Sequence, residues 1–386
     1  MQYRAFGSLD WKVSALGFGC MRFPTTDGKA GNIDQDQVTE MIRHAVDAGM
    51  NYLDTAYVYH DQKSEAALGK ALRDGYRERV RIATKSAIWL LEKGDDFDRM
   101  LDEQLTRLQT DTIDFYLLHA LNRKRWDRVH QLDVLRRAEA ARADGRIRHL
   151  GFSFHDSLDV FKGIVDAYDA WDFCQIQYNY MDTAFQAGTE GLRYAASKGL
   201  AVVIMEPLRG GKLAIDLPAT RPIWDSASRK RTPVDWALQW LWNQPGVSVV
   251  LSGMSTLQQV KENIASAHAS GIATLTADEL AIIESASEAL KALSPVPCTN
   301  CEYCMPCPNG VNIPLNFDFY NQVAMYGAID RTRFQYKMWV PDSEKAGMCI
   351  QCDECLSKCP QDIPISTWLP VVADVLEEKQ PYVNSI

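Results

Sequence analysis

Eight short apolar or β-branched runs recur through the first 293 residues, separated by segments of helix length. They are VSALGFG (13–19), YLDTA (52–56), VRIATKS (80–86), IDFYLLH (113–119), IRHLGFSF (147–154), FCQIQYN (173–179), AVVIMEP (201–207) and VSVVLSG (247–253). Between them, DQDQVTEMIRHAVDAG, DRMLDEQLTRLQ, LDVLRRAEAARADG and PVDWALQWLWNQ repeat their apolar residues at helical spacing. Strands and helices that alternate eight times predict an α/β fold, the (β/α)8 TIM barrel, which typically needs ~250 residues. The rival is a doubly wound open sheet, but no GxGxxG follows the first run. The opening YRAFGSLDWKVSA alternates around a turn and predicts a hairpin across the barrel bottom.

The last 89 residues have a different character, because they hold eight of the ten cysteines. The two runs are CTNCEYCMPCP (298–308) and CIQCDECLSKCP (349–360). Thiols three residues apart in a turn point readily at a common centre, so metal binding is favoured over disulfides. The second run is C-x2-C-x2-C-x3-C-P, the bacterial pattern for a 4Fe–4S cluster whose fourth cysteine serves a neighbouring cluster. The first is one residue shorter in its last gap. Two 4Fe–4S clusters are therefore expected on Cys298, Cys301, Cys304, Cys307, Cys349, Cys352, Cys355 and Cys359. Crossed ligation would put Cys359 with the first run and Cys307 with the second. Zinc is the alternative, although its thiolate sites usually come as separated CxxC pairs. This tail resembles a two-cluster ferredoxin module. The segment LNFDFYNQVAMYGAIDRTRFQYKMWV between the runs has helical periodicity, so a mainly helical module is expected. SPVP at 294–297 marks the boundary, giving a barrel over 1–293 and an iron–sulfur domain over 294–386.

A formal net charge of −9 disfavours nucleic acid as a partner. The first residues lack the apolar core of a signal peptide, and no apolar run approaches ~18 residues, so a cytoplasmic protein without a membrane partner is expected. Cys20 and Cys174, outside the runs, read as packed small apolar groups.

In a TIM barrel, chemistry sits where strands end and loops begin. Asp54 and Tyr59 follow the second run, Lys85 ends the third and His119 ends the fourth. Singly, each has a structural explanation: a helix cap, a solvated ammonium, a satisfied core imidazole. Together, three consecutive strands deliver an acid, a phenol, a cation and an imidazole to one rim.

On those residues the chain resembles an aldo-keto reductase from its amino terminus to about residue 293. DAGMNYLDTAYVYHDQKSEAALGKAL is similar to the family's signature, and PVDWALQWLWNQPGVSVVLSGMSTLQQVKENI to its last barrel turn. The resemblance implies a catalytic tetrad of Asp54, Tyr59, Lys85 and His119. Its chemistry can be stated independently. Carbonyl reduction builds negative charge on oxygen, so a proton donor must wait there. A phenol with a pKa near ~10 is a poor donor at neutral pH, and an adjacent ammonium lowers that value. Asp54 would hold Lys85, and His119 would donate a hydrogen bond to the substrate oxygen.

The resemblance also implies nicotinamide binding by Ser153 and Gln175, with Met205 where the family often stacks an aromatic ring. The family's next position is usually Asn; here it is Phe154, so His155 would have to supply that contact. Phosphate binding would fall to Pro207, Leu208, Arg209 and Gly211 after the seventh strand, with Gly210 and Lys212 beside them. Gly253, Ser255 and Gln259 would serve after the eighth, with Glu262 and Asn263 on the adenine side. Those glycines could equally serve only as turns. NADP(H) is the family's default. A cation for its 2′-phosphate is thin, with Lys261 the nearest, so NAD(H) stays open. Tyr57, Trp89 and Tyr180 are candidates for the pocket wall or for the core.

The sequence-based expectation is an oxidoreductase that reduces an aldehyde, ketone or quinone by hydride transfer from NAD(P)H, with Tyr59 as proton donor. The alternative is an electron-transfer protein or ferredoxin-linked oxidoreductase in which a redox protein partner feeds the clusters. A third reading makes the clusters structural or sensory.

Overall fold

The computed structural model describes residues 1–298, 300 and 302–383. Cys301, one of the expected cluster ligands, lies outside the described residues. The chain divides into two compact units, Met1–Gly210 with Val234–Leu280, and Gly211–Pro233 with the residues from Ala281 onward.

The first unit opens with an antiparallel hairpin of β1 (Tyr3–Phe6) and β2 (Leu9–Ser14). Gly7 makes the turn with φ of +57°, and a Cβ there would lie 2.4 Å from the backbone nitrogen of Ala201. Both the backbone conformation and the space require glycine.

The expected eight strands follow: β3 (Leu16–Gly19), β4 (Tyr52–Asp54), β5 (Arg81–Ser86), β6 (Ile113–Leu121), β7 (Ile147–Phe154), β8 (Phe173–Gln177), β9 (Ala201–Met205) and β10 (Val249–Ser252). They run parallel in chain order, and β10 pairs with both β9 and β3 to close the barrel. Helices at Gln35–Asp47, Asp95–Leu108, Val134–Ala143 and Pro233–Trp242 match the four amphipathic segments read from the sequence. Their apolar faces and the outward faces of the strands form one continuous core.

A second, smaller core fills the barrel interior. Tyr52, Ala83, Phe115, Leu117, Phe173, Val203, Val249 and Leu251 point inward from six of the barrel strands, and Phe6 and Val13 of the hairpin join them. The Phe6 and Phe115 rings approach to 4.7 Å, and Trp11 packs on Phe115 at 5.5 Å. The hairpin therefore plugs the barrel floor, as its alternation predicts.

The second unit is helical, and among the described residues no strand follows Ser252. Helices at Ile313–Tyr326, Ile329–Trp339 and Ile365–Leu376 bury Phe317, Tyr320, Val323, Tyr336, Trp368 and Val372. The proline-rich segment expected to separate domains is clamped. The Asn321 side chain accepts a hydrogen bond from the Val296 N–H and donates one to its carbonyl, at 3.1 and 2.7 Å. Among the described residues no helix is long and apolar enough to cross a membrane.

Candidate active site and cluster cavities

Strand periodicity builds the rim. Side chains on a strand alternate faces, so a residue two places beyond an interior residue points into the same channel one layer higher. Tyr52 is interior, hence Asp54; Ala83, hence Lys85; Leu117, hence His119; Phe173, hence Gln175; Val203, hence Met205. Ser153 follows Gly151 in the same way on β7. The loop after β4 then returns Tyr59 to this ring.

Lys85 is the hub. Its Nζ donates to Asp54 Oδ1 at 2.6 Å and to the Thr55 carbonyl at 2.7 Å, and lies 3.4 Å from the Tyr59 hydroxyl. Lys85 and Asp54 are buried, whereas Tyr59 and His119 keep part of their surface open. The Tyr59 and His119 rings meet edge to face at 6.0 Å. The structure thus brings all four residues together.

Burial works against the charge on Lys85, but Asp54 and Tyr59 together outweigh it and the ammonium is held above its ordinary pKa. Burial raises Asp54, opposed by Lys85. Tyr59 differs from the sequence-based expectation. Lys85 does pull its pKa down, but burial pushes harder in the other direction and Asp54 adds to the rise, so the net shift is upward. Burial and then the charge of Lys85 drive His119 well below its usual value, leaving a neutral imidazole. Its Nδ1 is buried with no hydrogen-bond partner among the described residues.

Next around the barrel, Ser153 Oγ accepts a hydrogen bond from the Ala120 N–H at 2.7 Å and keeps its own proton to donate. Gln175 is buried, and its Oε1 has no hydrogen-bond partner among the described residues. A buried amide oxygen without a donor is costly, and the site fits a ligand that carries one, such as a carboxamide. Phe154 is core, packed on Phe161 at 5.1 Å. Met205 ends β9, partly exposed.

The phosphate candidates divide. Arg209 forms a two-pronged pair with Asp182, Nε to Oδ2 at 3.0 Å and Nη2 to Oδ1 at 2.9 Å, so its charge is largely met within the protein. Pro207 and Leu208 lead into this turn. Gly210 and Gly211 have φ of +66° and +94°, the turn role for glycine, and Gly211 falls in the second unit. Lys212, also in that unit, is buried and donates to Gln322 Oε1 at 2.5 Å.

After β10, the Ser255 hydroxyl donates to the Arg22 carbonyl and the Ser255 N–H to Gln259 Oε1, both at 2.8 Å. Thr256 caps the helix Leu257–His268 through the Gln259 N–H. Asn263 donates to Ser252 Oγ at 3.0 Å, and Glu262 is exposed and holds Gln258. A Cβ on Gly253 would lie 2.7 Å from Arg22 Cγ. The stem of the Arg22 side chain therefore lies against this turn. It comes from the other side of the barrel seam, which only the β10–β3 pairing reveals. Of the candidate wall aromatics, Trp89 stands 5.1 Å from His119. Tyr57 is buried with its hydroxyl on Glu103, and Tyr180 is buried against Trp240. Cys20 and Cys174 are fully buried, as expected.

In the second unit the cysteines ring two cavities. One is lined by Cys298, Cys304 and Cys359 with Glu302, Ile313 and Phe317. The other is lined by Cys307, Cys349, Cys352 and Cys355 with Asp353 and Leu369. Among the described residues the thiols surround these spaces and do not close on a point as around a single ion. The two runs share left-handed turns at two equivalent positions. Asn300 and Glu302 have φ of +57° and +63°, and Gln351 and Asp353 have +53° and +63°. Such turns aim amide N–H groups at the sulfurs: the Gln351 N–H donates to Cys349 Sγ at 3.4 Å.

A parallel barrel whose strand ends gather an acid, a phenol, an ammonium and an imidazole beside an amide-binding pair defines a class of nicotinamide-type oxidoreductase, here joined to a cysteine-rich helical unit. Comparison with known proteins gives the family. Residues 15–288 match the aldo/keto reductase family and residues 297–363 a 4Fe-4S dicluster domain. The chain belongs to the aldo-keto reductase family and is an enzyme of the oxidoreductase class, with a dicluster domain that accounts for two 4Fe–4S clusters.

It is 27% identical over 318 residues to L-galactose dehydrogenase of Arabidopsis thaliana, covering 76% of this chain and 97% of that protein. The holo form of an aldo-keto reductase from Bacillus halodurans superposes with a TM-score of 0.63 at 28% identity, over 75% of this chain and 97% of that one. An aldo-keto reductase from Klebsiella pneumoniae, crystallised with NADPH, shares the fold at 24% identity and a TM-score of 0.59, over 74% and 94% of the two chains.

Proposed function

We propose that the barrel reduces a small-molecule aldehyde, ketone or quinone with NAD(P)H, and that Tyr59 gives the proton. The observation that carries this reading is the placement of Lys85 Nζ between Asp54 at 2.6 Å and the Tyr59 hydroxyl at 3.4 Å. Bound reduced nicotinamide supplies two electrons as hydride. Tyr59, its pKa raised, holds its proton until charge develops on the carbonyl oxygen. The fixed ammonium of Lys85 then stabilises the phenolate that remains. Neutral His119 can donate one N–H to the same oxygen and orient it. Ser153 and Gln175 would hold the carboxamide, with Met205 against the ring. Gly253, Ser255, Gln259 and Asn263 would line the adenosine side, and Arg22 beside them favours NADP(H) over NAD(H).

In the second unit, we assign one cluster to Cys298, Cys301, Cys304 and Cys359 and the other to Cys307, Cys349, Cys352 and Cys355. The cavity linings support this crossed scheme. Cys352 is exposed, which favours electron exchange with an outside redox partner as a second reading. Anaerobic stopped-flow absorbance separates the two. In a self-sufficient reductase, NADPH yields product without cluster bleaching; cluster reduction that keeps pace with product formation makes the clusters part of turnover. Failure of Tyr59→Phe to abolish carbonyl reduction would overturn the proton-donor assignment.

A further inference from the structure

Beside the tetrad stands a cation that the mechanism does not use. Arg125 lies in the first turn of the helix Arg123–Gln131, which follows β6 and its His119. Its Nη1 donates to the Ala120 carbonyl at 2.6 Å, and its guanidinium carbon sits 4.6 Å over the Trp89 ring. Trp89 in turn packs at 5.1 Å from His119. One wall of the site therefore runs from the imidazole across the indole to the guanidinium.

The side chain is half-buried, and among the described residues no carboxylate lies within ion-pair distance of it. The acidic group on the neighbouring loop, Asp156, is engaged by the Arg123 and Ser157 N–H groups. Burial without a counter-ion pulls Arg125 below the ordinary arginine range, and its charge also depresses His119 and His155. A partly desolvated cation is unfavourable unless something anionic meets it. With Nη1 fixed on Ala120, the Nε–Nη2 edge of the fork is left, and that edge matches a carboxylate in two-pronged geometry.

Resting on the reductase reading, we propose that the substrate is a carbonyl compound bearing a carboxylate, which Arg125 binds while His119 and Tyr59 address the carbonyl. In the reaction the carbonyl carbon gains the hydride and its oxygen gains the Tyr59 proton. The nicotinamide is oxidised by two electrons, and the carboxylate is unchanged, so the product is a hydroxy acid. Trp89 between the two groups makes an apolar or aromatic spacer the natural link.

The test compares 4-carboxybenzaldehyde with its methyl ester, using the cluster-containing full chain. Arg125→Met keeps packing on Trp89, and Arg125→Lys keeps the charge while losing the fork. Arg125→Met is expected to lower kcat/KM for the carboxylate roughly tenfold to a hundredfold, the loss of one charged two-pronged contact, and to affect the ester far less. Arg125→Lys should fall between. Equal losses on both aldehydes, no preference of the parent for the carboxylate, or stronger selection for glyceraldehyde 3-phosphate over glyceraldehyde would overturn the proposal. Calorimetric titration with benzoate separates it from the reductase reading. If neither aldehyde is reduced but benzoate binds more weakly to Arg125→Met, the anion site stands and the reductase reading falls. Unchanged benzoate affinity in Arg125→Met removes the site.

Discussion

The two units solve the problem of a functional site in opposite ways. The centre of the barrel's rim is held by its own side chains: Lys85 bonds Asp54 and approaches the Tyr59 hydroxyl, and the interior core beneath them is filled by apolar side chains. The cysteine-rich unit instead lines two cavities with thiols and apolar side chains, and the thiols are ligands for a bound group. A site of the first kind is held by packing whether or not its ligand is present. A site of the second kind draws its stability from the group it holds, as metal-coupled folds do. Chemistry in the barrel should therefore be separable by mutation from integrity, and in the helical unit it should not.

The sharpest break concerns Tyr59→Phe. It should cut carbonyl reduction by about 10²–10⁴-fold, the usual worth of a positioned proton donor, while nicotinamide binding and the melting temperature stay near the parent's. Loss of fold in that variant would erase the distinction between the units.

The converse experiment uses two cysteines. Under crossed ligation Cys307→Ser and Cys355→Ser each disable the same cluster, so the double variant should keep about four of about eight irons. Uncrossed ligation would make the double variant lose both clusters. Either single variant should also lose amide-exchange protection across 297–363 while the barrel strands keep theirs.

A smaller effect tests the seam. Arg22→Ala should raise KM for NADPH about tenfold and leave that for NADH much closer to the parent, as removal of one charged hydrogen bond implies. Equal changes for both cofactors would move Arg22 away from a 2′-phosphate.

The mildest test is pH. His119 and His155 are both depressed in the folded chain, His155 to about 3, chiefly by burial. Below the unfolded value near 6.5 the unfolded chain takes up protons that the fold refuses, so stability falls as pH drops through that range. Thermal melts between pH 8 and pH 5 check the direction. The activity profile should show no limb near 6.5 from His119, since it is already neutral there.

The sequence carried what depends on local periodicity. Each of the eight runs became a strand, and because side chains alternate, Asp54, Lys85 and His119 could be placed on one rim from their positions alone. What it did not carry lies between elements distant in the chain. Arg22 reaches Gly253 only because the last strand closes on the first. Arg209 reads as an unpaired cation in the sequence because nothing local reveals Asp182, with which it pairs. Arg125 gave no signal in a stretch, NRKRWDR, that reads as a solvated basic helix. The direction of the Tyr59 shift failed for a related reason. Neighbouring charge can be guessed from a motif, but the depth at which the phenol sits cannot.

The hairpin in the barrel floor has a consequence for how this chain can change. With Phe6 and Trp11 wedged under Phe115, the lower half of the barrel is a stopper that no reactant meets. Variation there is read only by folding, and variation at the rim chiefly by turnover. A lineage can therefore exchange its specificity residues, Arg125 and Trp89 among them, against a foundation that drifts on its own schedule. An engineer can use the same partition, strengthening the stopper first and then reshaping the mouth with stability in reserve.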